Sequence, residues 1–145
     1  LTETSARADA GDETTRARLL AEAALAWLEA GDTGEAEKAI TSAREHAPAL
    51  RELDFVAAKI FAADNRWQAA ADAVTAAEEK GVRTPEAYVI RARAFRALGR
   101  DDDAAEDIVS ALSLDPFHID ALTLRGELRQ AGIEIEAYYG DEQNP

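Results

Sequence analysis

The side chains able to do acid–base or ligand chemistry are scattered along this 145-residue chain. Asp101, Asp102 and Asp103 form an acidic run, but one without the spaced oxygen donors and distal glutamate of a calcium loop. Carboxylates at a helix start interact favourably with the free N–H groups there, and that is the reading adopted. His46 and His118 have no second histidine at ligand spacing and read as surface or capping groups. Ser42, Ser110 and Ser113 lack the strand–turn–helix elbow that exposes a nucleophile. The chain contains no cysteine, which removes thiolate metal sites, disulfides and Cys nucleophiles. No glycine-rich loop cradles a phosphate. The expectation is a protein without catalytic residues, cofactor or metal.

Charge narrows the partners. Lys and Arg number 16 against 29 Asp and Glu, a net charge of −13. Neutralising phosphates needs a basic face, so nucleic acid and anionic membrane surfaces are not expected partners. No apolar run reaches the length of a membrane span, and no charged-then-apolar segment opens the chain. A chain that begins at Leu1 and holds no methionine fits both an exported mature protein and a piece of a longer one. The compartment stays open, cytoplasmic or exported.

The elements that must position any site recur at an interval of 34 residues. Phe95, Phe61 and Trp27 share one column, and they are three of only nine aromatic residues. Small residues recur as Ala92, Ala58 and Ala24, as Ala104, Ala70 and Ala36, and as Ala111, Ala77 and Ala43. The turn column reads Gly99, Asn65 and Gly31; a branched column reads Ile108, Val74 and Ile40; the closing column reads Pro116, Val82 and Pro48. A fixed period of this kind is the mark of a helical repeat array. Alanine allows two helix backbones to approach, and the aromatic fills the space left beside it. Trp27→Ala or Phe95→Ala should then cost about 3–5 kcal/mol if the site is buried.

The columns resemble the tetratricopeptide repeat (TPR) family, over roughly residues 17–131. The resemblance implies an all-α solenoid of helical hairpins, with three full repeats (about 17–50, 51–84 and 85–118) and a partial C-terminal capping repeat (119–140). Residues 1–13 read as a flexible lead-in, with Asp12, Thr14 or Thr15 capping a first helix near Thr15. Residues 133–139 read as a helical stub over the open end, and 141–145 as a tail. Three departures from the family pattern stand out. Asp54 replaces a large apolar residue, either loosening a contact or pointing to water. Arg91 replaces a leucine, and an ion pair with Asp107 across the hairpin is expected. Arg129 replaces the aromatic of the fourth repeat.

In the family, the first helix of each repeat lines a concave groove that receives a partner's peptide or helix. Carrying those columns over gives Leu25 and Leu28, then Phe55, Val56 and Lys59, then Val89, Ile90, Arg93 and Arg96, and finally Leu124 and Glu127. The resemblance therefore implies a non-catalytic scaffold or adaptor, whose partner is a protein or peptide with apolar anchors and carboxylates. Self-assembly into homo-oligomers through repeat surfaces is the alternative. One family subtype grips a C-terminal carboxylate with lysines and asparagines. This chain has Ala21, Leu25, Val56, Glu86 and Ile90 at those positions, so that chaperone-tail activity is not expected.

Overall fold

The computed structural model describes residues 3–135. Seven α-helices, and no strand, occur among the described residues: α1 (Glu3–Glu29), α2 (Thr33–His46), α3 (Arg51–Ala63), α4 (Trp67–Glu79), α5 (Pro85–Ala97), α6 (Asp101–Leu114) and α7 (Ile119–Gln130). Three hairpins, α1/α2, α3/α4 and α5/α6, are followed by a lone α7. The architecture is the all-α array of three full repeats with a partial fourth.

Local chemistry sets the helix starts. Asp32 accepts a hydrogen bond from the Glu35 N–H at 3.0 Å. Thr84 accepts one from the Ala87 N–H, with Pro85 at the first helical position, where its missing N–H has no partner to lose. His118 accepts the Ala121 N–H through Nδ1 at 3.2 Å, so this imidazole is a cap. Asp101, Asp102 and Asp103 occupy the first turn of α6.

The turn column has one geometry. Gly31, Asn65 and Gly99 all adopt positive φ, between 57° and 82°. The next N–H then reaches back to the carbonyl of the aromatic column: Asp32 to Trp27, Arg66 to Phe61 and Arg100 to Phe95, at 2.8–2.9 Å. Such a six-to-one closure satisfies a carbonyl that the helix end would otherwise leave open. In α7 the closure falls earlier in the repeat, at Gly132, with Ile133 donating to Leu128.

Three expectations are corrected. α1 does not begin near Thr15; it continues back to Glu3. Alanine, glutamate and arginine carry the helix through that stretch, and Gly11 costs only about 1 kcal/mol in a helix interior. The proposed caps Asp12, Thr14 and Thr15 thus lie inside α1. Trp27 is 43% exposed, unlike Phe61 and Phe95, because nothing among the described residues precedes α1 to cover it. Asp54 neither loosens its junction nor faces water. It is 1% exposed and ion-paired to Arg44 at 3.1 Å and to Lys80 at 2.6 Å. Lys80 also donates to the Pro48 carbonyl, so one carboxylate ties α2, α3 and the end of α4 together. Residues 1–2 and 136–145 lie outside the described residues, and with them most of the stub 133–139 and all of the tail 141–145.

The core is mostly alanine. Ala24, Ala58 and Ala92 are fully buried, as are Ala36, Ala70 and Ala104. Ile40, Leu53, Ile60, Ile108, Leu112 and Leu128 supply the larger buried side chains. Each of these removes more apolar area from water than an alanine does, so the array leans on them.

Candidate functional site

Helix contacts fix which side is concave. α1 touches α3, α3 touches α5 and α5 touches α7, whereas α2, α4 and α6 make no comparable contacts with one another. An array whose odd helices crowd together while its even helices spread must curve toward the odd ones. The groove is therefore built from α1, α3, α5 and α7, the helices that carry the expected lining residues.

Burial divides those residues into two groups. Leu25, Leu28, Phe55, Lys59, Ile90 and Arg96 are half-buried, and Arg93 and Glu127 are exposed. Val56, Val89 and Leu124 are only 7%, 4% and 2% exposed. These three pack in the seams between helices and offer a partner almost no surface, which corrects their place in the lining. The sequence columns could not separate the groups, because a position turned slightly toward the next helix is covered by it.

The basic groups differ in what already holds them. Arg96 Nη1 donates to Glu127 Oε2 at 2.7 Å, so its charge is compensated across the α5/α7 gap. The Lys59 ammonium lies over the Phe55 ring, 4.7 Å from its centroid. Arg93 has no hydrogen bond or ion pair among the described residues. Arg18 pairs with Glu52 at 3.2 Å on the rim, and Glu86 faces His118 Nε2 at 3.7 Å.

On the far side of α5 lies a different constellation. Arg91 is clamped by Asp107, Nε to Oδ2 at 2.9 Å and Nη2 to Oδ1 at 2.8 Å. Its Nη1 also donates to Glu78 at 3.1 Å and to the Thr75 hydroxyl at 3.2 Å. The expected hairpin pair is thus present, and it extends into the preceding repeat through α4, a reach that no single-column reading signals. The Asp107 hydrogen bonds, with support from Glu78, outweigh burial and raise the Arg91 guanidinium above its ordinary value. Burial pushes the Asp107 carboxyl up, partly offset by Arg91. Burial also acts to raise Glu78, but the hydrogen bond and charge of Arg91, with Tyr88 and Arg83, hold it below its ordinary value. No buried side-chain nitrogen or oxygen among the described residues lacks a hydrogen-bond partner, so the network reads as a structural tie between repeats.

No group of three or more His, Asp or Glu able to hold a metal ion occurs among the described residues. No described helix is long and apolar enough to cross a membrane.

No family model and no curated protein sequence matches the chain. Solved structures do match it. The first TPR of Spaghetti (RPAP3), bound to the HSP90 peptide SRMEEVD, superposes with a TM-score of 0.77 at 22% identity, covering 81% of this chain and 94% of that one. The Arabidopsis OM64 TPR domain gives 0.78 at 24% identity, over 82% and 98%. The first TPR domain of human RPAP3 gives 0.75 at 22%, over 80% and 91%. The chain has the tetratricopeptide-repeat fold.

Proposed function

We propose that the concave face binds a peptide or helix of a partner protein and that the chain acts as a non-catalytic scaffold or adaptor. The observation that carries this reading is Arg93, an exposed cation with no hydrogen bond or ion pair among the described residues, on the same helix as half-buried Ile90 and on the same concave side as Leu25, Leu28, Phe55 and Lys59. In a chain of net charge −13, a basic group left uncompensated beside apolar side chains favours a segment that joins apolar anchors to carboxylates. Apolar contact supplies the affinity, and the charges select and orient.

The peptide held by the RPAP3 domain, SRMEEVD, mixes apolar and acidic residues in the same way. The HSP90 tail itself is not the proposed ligand. Ala21 and Val56 are buried, Glu86 is an acid, and Leu25 and Ile90 offer no hydrogen bonds where the chaperone-binding subtype places lysine and asparagine.

The test compares the chain with its Ile90→Glu/Arg93→Glu variant. Both are presented with immobilised peptides that pair leucine or phenylalanine with glutamates, and with counterparts carrying lysine in place of glutamate. Binding of the acidic set by the native chain alone, with circular dichroism unchanged in the variant, supports the groove. Equal binding by the folded variant would overturn it.

A further inference from the structure

The concave helices carry their charges in a fixed order. On α3 the groove face reads Glu52, Phe55, Lys59, and on α5 it reads Glu86, Ile90, Arg93. Acid and base stand seven residues apart in both helices, two turns or about 10.5 Å, so they share one face with the apolar residue between them. Asp120 continues the acidic column on α7, where Glu127 replaces the base and takes the Arg96 guanidinium at 2.7 Å. Side chains of one column reach across neighbouring helices, as Arg18 and Glu52 do at 3.2 Å between α1 and α3. The apolar floor is thus bounded by an acidic row on one side and by Lys59 and Arg93 on the other. Glu52, Glu86 and Asp120 are all exposed, and Asp120 has no hydrogen bond or ion pair among the described residues. Carboxylates in a first helical turn favour the helix start, which accounts for the acidic row alone. The cations have no such explanation, since neither Lys59 nor Arg93 lies in the last turn of its helix.

Building on the concave-face reading, we propose that the partner segment is an amphipathic helix laid across α3 and α5 toward α7, with carboxylates along one flank of its apolar stripe and lysines or arginines along the other. Charge complementarity selects the flanks. The carboxylates meet Lys59 and Arg93, and the basic flank meets Glu86 and Asp120. A segment acidic on both flanks sets like charges against that second row, which opposes binding. Geometry selects the helix. An extended strand with its apolar side chains on the floor turns backbone edges, not side chains, toward the two rows. A helix is about 10–12 Å across, close to the separation of the rows, and its flanking positions reach both. Helices in contact stand about 8–10 Å apart, and one heptad of a partner helix rises about 10.5 Å. One heptad therefore crosses one repeat, and the partner's charges recur every seven residues.

The experiment measures binding to the full chain by fluorescence anisotropy, using two-heptad peptides cross-linked on their outer face to stay helical. All share one leucine stripe; the flanks carry glutamate on one side and lysine on the other, glutamate on both, or lysine on both. The dipolar peptide should bind about tenfold or more tightly than either single-sign peptide. Glu86→Gln/Asp120→Asn should bring the dipolar and all-glutamate affinities together, and Ile90→Glu/Arg93→Glu should abolish both. Unchanged circular dichroism checks that each variant folds. An all-glutamate helix bound as tightly as the dipolar one by the native chain overturns the proposal and leaves the groove itself standing. So does a dipolar peptide that binds equally well when a central proline breaks its helix. If no helix binds, the proposal falls, and failure of the acidic peptides of the preceding test would take the concave-face reading with it.

Discussion

Arg91 and Arg93 stand two residues apart on α5 and have opposite surroundings. Two residues rotate the helix by about 200°, so one guanidinium enters the junction between repeats while the other meets the groove. Arg91 is held by Asp107, Glu78 and Thr75, whereas Arg93 is exposed and has no such partner among the described residues. The difference shows how one helix can carry two kinds of charge: one enclosed by partners fixes a seam, and one left facing water stays available to a ligand.

The comparison breaks most visibly at Arg91. Arg91→Ala leaves Asp107 buried without its cation and should lower unfolding free energy by about 3–5 kcal/mol in urea titrations. The aromatic column gives the next effect. Phe95→Ala should cost about 2–3 kcal/mol and Trp27→Ala under about 1 kcal/mol, since only the first opens a space inside the array; thermal melts of the two variants would rank them. Asp54→Ala removes the tie among α2, α3 and α4 but leaves Arg44 and Lys80 free to turn to water, so about 2 kcal/mol is expected in the same titrations.

A pH series sharpens the contrast further. Glu78 is held below its ordinary value of 4.5, so its contribution is present above that pH and fades as acid protonates it in the fold. Asp107, raised by burial, acts with the opposite sign and is present in both proteins compared. The stability gap between the native chain and Glu78→Gln should therefore be largest near neutrality and shrink below about pH 4.5. At the small end, Arg93→Glu should change stability by no more than about 0.5 kcal/mol yet abolish capture of acidic peptides. A large loss of stability there would show that Arg93 belongs to the seam and not to the groove.

Much of the fold could be read from the residues because the repeat reports on itself. The columns at Gly31, Asn65 and Gly99 signalled turns, and the structure closes all three with the same left-handed geometry. Alanine columns signalled close helix approach, and those alanines are buried. The candidate site was less accessible. Val56, Val89 and Leu124 occupy lining columns yet lie in seams, because exposure depends on how far each helix rotates against its neighbour. From sequence Asp54 reads as loosening a contact or pointing to water, because its partners, Arg44 and Lys80, stand 10 and 26 positions away along the chain.

By itself the sequence determined the period, the helix–turn–helix unit, the Arg91–Asp107 pair and the presence of basic residues on the first helices of the repeats. These follow from local physics: side-chain volume, helix periodicity and the conformational freedom of turn residues act within one repeat. Tertiary structure alone decided which columns remain open and which charges are compensated. Burial and ion pairing are set by what stands against a side chain, and in an array that neighbour belongs to a different repeat.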